Sequence, residues 1–176
     1  QYGKNWEGSI KGVYIPARDL AVPNISNGIK ILMTAQASYE GFIIPGENSQ
    51  YPNGSKSFRS NNPGNLGTDW TRTGTFPTLD AGIKAQYNYI NRVIKGEHKA
   101  YPLGKRLAQP ATTLAGHSYP AIDFNPYTGT LRQYLNIYDA GTRLNNSYLT
   151  FIISFFQKSG YTITPETTLS QIAQLN

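Results

Sequence analysis

The chain has 176 residues, with 16 Lys and Arg against 10 Asp and Glu, a net charge of +6 and no cysteine. This length predicts a single domain with a sizeable core. The lack of cysteine excludes a disulfide framework and a thiol nucleophile. The two histidines, His98 and His117, lie in different segments, so neither a metal site nor a cofactor is predicted. No apolar run approaches the roughly 20 residues that a membrane-spanning helix needs.

The positive charge is scattered along the chain. Such charge favours an anionic partner, for example nucleic acid, a membrane surface or an anionic cell-wall polymer, and does not choose among them. A nucleic-acid interface would rest on charge alone, because the sequence has no basic helix and no alternation of aromatic and basic residues. We therefore do not predict a nucleic-acid partner.

The first 24 residues are expected to form an N-terminal arm or linker, and residues 25–176 the folded domain. Pro16 and Pro23 interrupt regular structure in this segment, although residues 10–15 (IKGVYI) alternate weakly, as a short strand does. The segment lacks the apolar region of a signal peptide. Because the chain begins with Gln1, we expect it to be a piece of a longer protein.

The first predicted helix covers residues 25–39 and is followed by Glu40 and Gly41. Apolar residues recur in it at helical spacing, and residues 24–27 (NISN) offer helix caps. Glu40 falls at the C-terminal end, where the helix dipole disfavours a negative charge. If Glu40 is also partly buried, its pKa should be raised, as a general acid requires. The alternative is an ordinary solvated glutamate.

A compact polar segment, RSNNPGN at residues 59–65, follows a loop rich in Gly, Pro, Ser and Asn at 41–58. Pro63 fixes its own φ angle and Gly64 permits a positive φ. The asparagine amides can bond either to their own backbone or to a ligand. The segment is therefore either a tight turn alone or a turn that also lines a site facing Glu40.

The remaining sequence predicts a mainly α fold with one small β-hairpin lobe, at residues 67–76, after Glu40. A helical turn is possible within the irregular stretch that follows, at 109–115. The helix at 147–159 has the widest apolar face and should be the central buried helix. Further helices are predicted from their apolar spacing and caps at 81–95 and at 130–138. In the tail, Pro165 is predicted at the first helical position, and either Thr164 or residues 167–168 start the helix.

Glycoside cleavage commonly uses a pair of carboxylates, and the ten carboxylates of the chain are the candidates for such a pair. After Glu40, the candidates for a partner are Glu47 in the loop and Asp69 in the hairpin, and neither spacing is persuasive. The alternative needs one carboxylate, with Glu40 protonating the leaving oxygen and later recovering a proton. The N-acetyl group or the 6-hydroxyl of the substrate would complete that reaction.

Six motifs follow one another along the chain. They are YEGF at 39–42, RSNNPGNL at 59–66, FPTLDAG at 76–82, TLRQYLNIY at 130–138, NNSY at 145–148 and TTLSQI at 167–172. In this order they resemble phage and prophage lysozyme-like domains of the lytic transglycosylase superfamily, and the resemblance covers residues 25–176. Those domains carry an EGF…RNNNPGN pattern, and Ser60 stands here where the pattern has its first Asn of the triplet.

The resemblance implies an α+β lysozyme-like fold and cleavage of peptidoglycan between N-acetylmuramic acid and N-acetylglucosamine. Glu40 matches the catalytic acid and base. With no second acid evident, we expect a lytic transglycosylase rather than a hydrolytic lysozyme. The expected setting is the cell envelope or the outer side of the wall, in a larger phage virion-associated or exported protein. The residues expected to bind substrate are Arg59, Asn61, Asn62, Gly64, Asn65 and Tyr138. The alternative role for Tyr138 is to orient the Glu40 carboxylate.

A second hypothesis keeps the lysozyme-like fold without turnover. The chain would then be a glycan-binding or structural virion module, and its basic charge and 13 tyrosines suit that role equally well.

Overall fold

The structure, a computed structural model, describes residues 25–43, 45–46, 48–69, 72–97, 110–112, 116–122 and 127–176. The predicted arm at 1–24 lies outside these residues. The described part is mainly helical, as the sequence predicts, with two short antiparallel hairpins. Its elements are α1 Asn27–Tyr39, α2 Lys56–Arg59, β1 Gly67–Asp69, β2 Arg72–Thr73, α3 Leu79–Ile94, β3 Ala111–Thr112, β4 Ser118–Tyr119, α4 Leu131–Tyr138, α5 Ser147–Lys158 and α6 Leu169–Ala173.

Helix α1 is the centre of the fold. Ser26 caps its start by accepting a hydrogen bond from the Ile29 N–H at 3.3 Å. Every residue from 31 to 37 is buried, so other parts of the chain surround the helix on all sides. A Cβ atom at Gly28 would lie 1.8 Å from the Ile172 carbonyl oxygen, so α1 approaches α6 at backbone contact. The small residues of α1 permit this depth.

The end of α1 is held in one conformation by a Schellman motif. Gly41 has φ +76°, the left-handed conformation that glycine adopts at no steric cost. The Phe42 N–H donates to the Ala37 carbonyl at 3.0 Å, and the Gly41 N–H donates to the Ser38 carbonyl at 3.3 Å. Phe42 then enters the core with 3 % of its surface exposed. The succession Glu-Gly-Phe thus fixes where the backbone of Glu40 leaves the helix.

The other helices pack around α1 and share one hydrophobic core with it. Threonine side chains cap three of them, α3, α4 and α6. Helix α5 makes the most extensive packing against α1. Its main core residues are Leu149, Ile152, Phe155 and Phe156, whereas Phe151 is exposed. The prediction that this helix is the central one was therefore wrong, because the slimmer α1 is enclosed more completely.

Three local predictions need correction. The last helix starts after Thr168, which forms a capping box with Gln171, so Pro165 precedes the helix instead of opening it. Residues 111–112 pair with 118–119 as a hairpin, where a helical turn was predicted at 109–115. The described part of the supposed loop at 41–58 contains α2, which begins where the Ser55 hydroxyl accepts from the Phe58 N–H.

None of the helices in the described part of the chain combines the length and apolar character that a bilayer crossing requires. The predicted hairpin at 67–76 is confirmed by the antiparallel pairing of β1 with β2. It follows the polar turn directly, and the Gly74 N–H returns to the Leu66 carbonyl at 2.8 Å. The hairpin therefore braces the turn from one side.

Helix α3 braces the same turn from the other side through Gly82. A Cβ atom there would lie 1.8 Å from the Asn61 carbonyl oxygen. We predict that Gly82→Ala destabilises the protein by about 1–3 kcal/mol, because a backbone atom cannot move aside as a side chain can. This cost outweighs the roughly 1 kcal/mol that alanine gains over glycine in a helix. Chemical denaturation measures the difference.

The matched control is Asn88→Ala, an exposed position on the same helix. It should change the free energy of unfolding by no more than about 0.5 kcal/mol. Equal stability of Gly82→Ala and the wild type would contradict the close approach of α3 to the turn.

Candidate functional site

Glu40 caps the C-terminus of α1 and is partly buried. Its backbone N–H donates to the Gln36 carbonyl at 2.8 Å. Burial raises the pKa of the Glu40 carboxyl from its ordinary value of 4.5 to about 7, and the negative charge of Asp139 contributes to the rise. The raised pKa expected from the sequence is confirmed. Near neutral pH this carboxyl holds a proton about half of the time.

Asp139 is a second carboxylate at the site, and the sequence analysis missed it. It caps the C-terminus of α4 in an extended conformation, and its N–H donates to the Leu135 carbonyl at 2.8 Å. The expectation that Glu40 has no acidic neighbour was therefore wrong. Of the two partners considered from the sequence, Glu47 lies outside the described residues, and so does the side chain of Asp69.

Two side chains hydrogen-bond to the Glu40 carboxyl, those of Asn65 and Tyr148. Both bonds lower the pKa of Glu40, because they favour the ionised form, and they partly offset burial and Asp139. Asn65 comes from the predicted polar turn and has φ +50°, a left-handed conformation that asparagine tolerates well. The turn therefore reaches Glu40 through Asn65.

Behind Glu40 lies a buried chain of hydrogen bonds. The Tyr134 hydroxyl donates to the Gln36 Oε1 atom, and the Gln36 Nε2 atom donates to the Tyr148 hydroxyl at 3.3 Å. That hydroxyl is then free to donate to Glu40. Gln36 lies one helical turn before Glu40 on the same face of α1. The one sequence signal for this chain of bonds is a glutamine at a buried position of an otherwise apolar helix face.

The remaining residues of the turn mainly build the turn itself. Asn62 is fully buried, and its side chain bonds to the Leu66 N–H and to the Leu66 and Gly74 carbonyls at 2.9 Å each. The Asn61 side chain donates to the Phe76 carbonyl at 3.0 Å. Arg59 is exposed at the end of α2. These contacts fix the backbone that presents Asn65.

Gly64 is required for space and not for its φ angle. The left-handed residues of the turn are Asn61 and Asn65, whereas the sequence suggested Gly64 for that role. A Cβ atom at Gly64 would lie 2.6 Å from the Tyr138 hydroxyl oxygen and 2.8 Å from the Gln86 side chain. The turn therefore sits directly on α3 and α4.

Tyr138, predicted to bind sugar or orient the carboxylate, donates its hydroxyl hydrogen to the Gly64 carbonyl. This bond connects the end of α4 to the polar turn. Because Asp139 is the next residue, the same bond helps to hold the second carboxylate beside Glu40. Tyr138 thus supports both the polar turn and the end of α4 that carries Asp139.

Four tyrosines form the floor beneath the site. Tyr138 contacts Tyr134 and Tyr89 at ring-centroid distances of 5.5 Å, and it contacts Tyr148 at 6.5 Å. A tyrosine combines an apolar ring with a polar end, so it can fill a core and still supply a hydroxyl. Tyr134, Tyr138 and Tyr148 use their hydroxyls at Gln36, Gly64 and Glu40 respectively.

In the part of the chain that the structure describes, no group of three His, Asp or Glu side chains could hold a metal ion. His98 lies outside that part, and His117 is exposed beside β4. Comparisons with models of protein families, with curated proteins and with solved structures find no match to this chain. Inferences about its function therefore depend on the residues of the site.

The raised pKa of Glu40 predicts how stability depends on pH. Between pH 4.5 and about 7 the folded state binds more protons than the unfolded state, so stability falls as the pH rises through this window. Glu40→Gln, which mimics the protonated acid, should therefore stabilise the protein at pH 8 by up to about 3 kcal/mol. Urea unfolding at pH 8 and at pH 4 measures the difference.

At pH 4 the variant and the wild type should have nearly equal stability, since Glu40 is then protonated in both states. Glu97→Gln, at an exposed position after α3, controls for removing a glutamate charge. A stabilisation that is the same at both pH values would contradict the raised pKa.

The neighbours of Glu40 should move its pKa in opposite directions. Asp139→Asn removes a negative charge, so the pKa should fall. Tyr148→Phe removes a hydrogen bond to the ionised form, so the pKa should rise. Carbon-detected NMR titration of the Glu40 carboxyl measures both shifts. Shifts of the same sign in the two variants would refute this account of the site.

Proposed function

We propose that the chain is a glycosidase that cleaves the β-1,4 bond between N-acetylmuramic acid and N-acetylglucosamine in peptidoglycan. The observation that carries the proposal is the Glu40 carboxyl, which burial and Asp139 bring to a pKa of about 7. A carboxyl of this kind can donate a proton to a leaving oxygen at neutral pH, which a carboxyl with its ordinary pKa rarely can.

Glu40 acts as the general acid in this proposal. It protonates the glycosidic oxygen as the bond to the anomeric carbon breaks, and it recovers a proton in the next step. The hydrogen bonds from Asn65 and Tyr148 stabilise the carboxylate that is left after the proton has been donated. The same two bonds hold the carboxyl in one orientation, which favours proton transfer along a defined line.

Asp139 supplies the second carboxylate that most glycosidases use, as a nucleophile or as a base for water. Its charge also raises the pKa of Glu40, which suits Glu40 to the role of the acid. The preference for a transglycosylase rested on the lack of such a group. We therefore propose hydrolysis, with a reducing end on the product, in place of the 1,6-anhydro product of a transglycosylase.

The fold supports this proposal in outline. A buried helix ends in the acid, and a short hairpin and a polar turn stand beside it, an arrangement that suits a lysozyme-like domain. We propose the same setting that the motifs suggest, a phage virion-associated or exported protein that acts on the bacterial wall. Peptidoglycan strands are then the partner, and the exposed Arg59 borders the turn that would face them.

The proposal predicts that Glu40→Gln lowers the rate of clearing of purified cell walls by about 100-fold or more, because general acid catalysis is lost. Glu97→Gln should retain the wild-type rate. Mass spectrometry of the released fragments identifies the new ends. Full activity in Glu40→Gln would refute the proposal.

Asp139→Asn tests the choice of mechanism in the same assay. Hydrolysis with Asp139 as nucleophile or base predicts a loss of similar size, and a transglycosylase predicts anhydro ends with a smaller loss. Saturable binding of the wild type to insoluble peptidoglycan without any released fragment would establish the non-catalytic module instead.

A further inference from the structure

Two exposed aromatic side chains lie in contact beside the site. Within the described residues, the large apolar or aromatic side chains left exposed are Tyr39, Tyr51, Leu144 and Phe151. Of these, Tyr39 and Phe151 contact each other, with ring centroids 5.4 Å apart and planes inclined by 59°. Each has 37 % of its surface exposed. Single exposed hydrophobic residues need no explanation, but an exposed pair next to a candidate acid does.

Tyr39 is held in place from beneath. Its ring stacks on Tyr148 with centroids 3.9 Å apart and an interplanar angle of 25°. Tyr148 therefore covers one face, and the exposed surface belongs to the opposite face and the edge of the Tyr39 ring. Because Tyr148 also bonds to Glu40, the exposed ring is fixed relative to the acid.

The Tyr39 ring lies near the carboxylates of the site. Tyr39 directly precedes Glu40 in the chain, and its ring stacks on Tyr148, which bonds to the Glu40 carboxyl. Burial raises the pKa of the Tyr39 hydroxyl, and the charges of Asp139 and Glu40 add to the rise, in agreement with this placement.

Phe151 extends this surface from α5. It also contacts Phe155, whose ring lies 6.1 Å away and belongs to the core. Phe151 is the exposed member of a helix whose other bulky apolar residues are buried or partly buried. Phe155 contacts one side of the Phe151 ring, and part of the ring is exposed to solvent.

We propose that Tyr39 and Phe151 form an aromatic platform that binds one N-acetylhexosamine unit of the glycan strand, next to the bond that is cleaved. This inference rests on the proposed function and adds a sugar subsite to it. One face of a pyranose ring presents C–H groups, which pack favourably on an aromatic face, and the methyl of the N-acetyl group adds apolar area. A stem peptide would not need exposed aromatic rings placed beside the acid.

The test measures binding in the Glu40→Gln background, so that cleavage does not disturb it. The probe is a peptide-free tetrasaccharide of alternating N-acetylglucosamine and N-acetylmuramic acid, titrated by calorimetry. Tyr39→Ala and Phe151→Ala should each raise the Kd by about 3- to 10-fold. Tyr39→Phe, which keeps the ring and loses the hydroxyl, should bind almost as well as the background protein.

Tyr51→Ala is the matched control, because it removes a tyrosine of similar exposure, 41 %, from the loop before α2. Phe151→Leu serves as a second variant if alanine impairs folding, since leucine keeps an apolar contact with Phe155 but lacks an aromatic face. Circular dichroism checks each fold. In the catalytically intact protein, Phe151→Ala should raise KM more than it lowers kcat.

The outcomes separate the two proposals. If the protein binds and cleaves glycan, but Tyr39→Ala and Phe151→Ala bind the tetrasaccharide as Tyr51→Ala does, the platform is refuted and the glycosidase stands. If the wild type neither binds nor cleaves the glycan, the glycosidase and the platform fail together. Weaker binding confined to the two platform positions supports the subsite.

Discussion

The Glu40 carboxyl is placed where its charge is unfavourable, and much of the surrounding structure follows from that placement. It lies partly buried at the negative end of α1, and the negative charge of Asp139 acts on it. An ionised carboxylate in such a place destabilises the fold unless hydrogen bonds offset the cost. Asn65 and Tyr148 provide those bonds, and each is held by its own network. The ionised Glu40 therefore lowers the stability of the fold, and the hydrogen-bonded residues around it hold its carboxyl in place.

The tyrosine floor explains how a small core can support a polar site. Tyr134 and Tyr148 have no more than 1 % of their surface exposed, yet their hydroxyls serve Gln36 and Glu40. Phenylalanine at these positions would fill the same volume and leave Gln36 without partners, at a cost of about 1–3 kcal/mol for each buried group. The rings contact α1, α4 and α5. The packing of these helices therefore also sets the orientation of the Glu40 carboxyl.

The sequence was sufficient for features that local chemistry determines. Helical spacing and caps gave the main helices, and the glutamate at the end of α1 followed from Gly41. The polar turn was found, although its left-handed residues are Asn61 and Asn65. Asp139 and Tyr148 were not assigned to the site, because their proximity to Glu40 arises only when α4 and α5 pack against α1. Gln36, a polar residue at a buried helical position, was the one signal that a closer reading could have used.

The two carboxylates stand at the ends of two different helices, and the fold brings the charge of one to bear on the pKa of the other. Glu40 ends the enclosed helix α1, where burial is the larger influence on its pKa, whereas Asp139 ends α4 and acts on Glu40 through its negative charge. Burial and a nearby like charge both disfavour the ionised form of a carboxyl, so the two effects act in the same direction on Glu40. The raised pKa of Glu40 is thus a property of the two helix ends that the packing of α1 and α4 brings together.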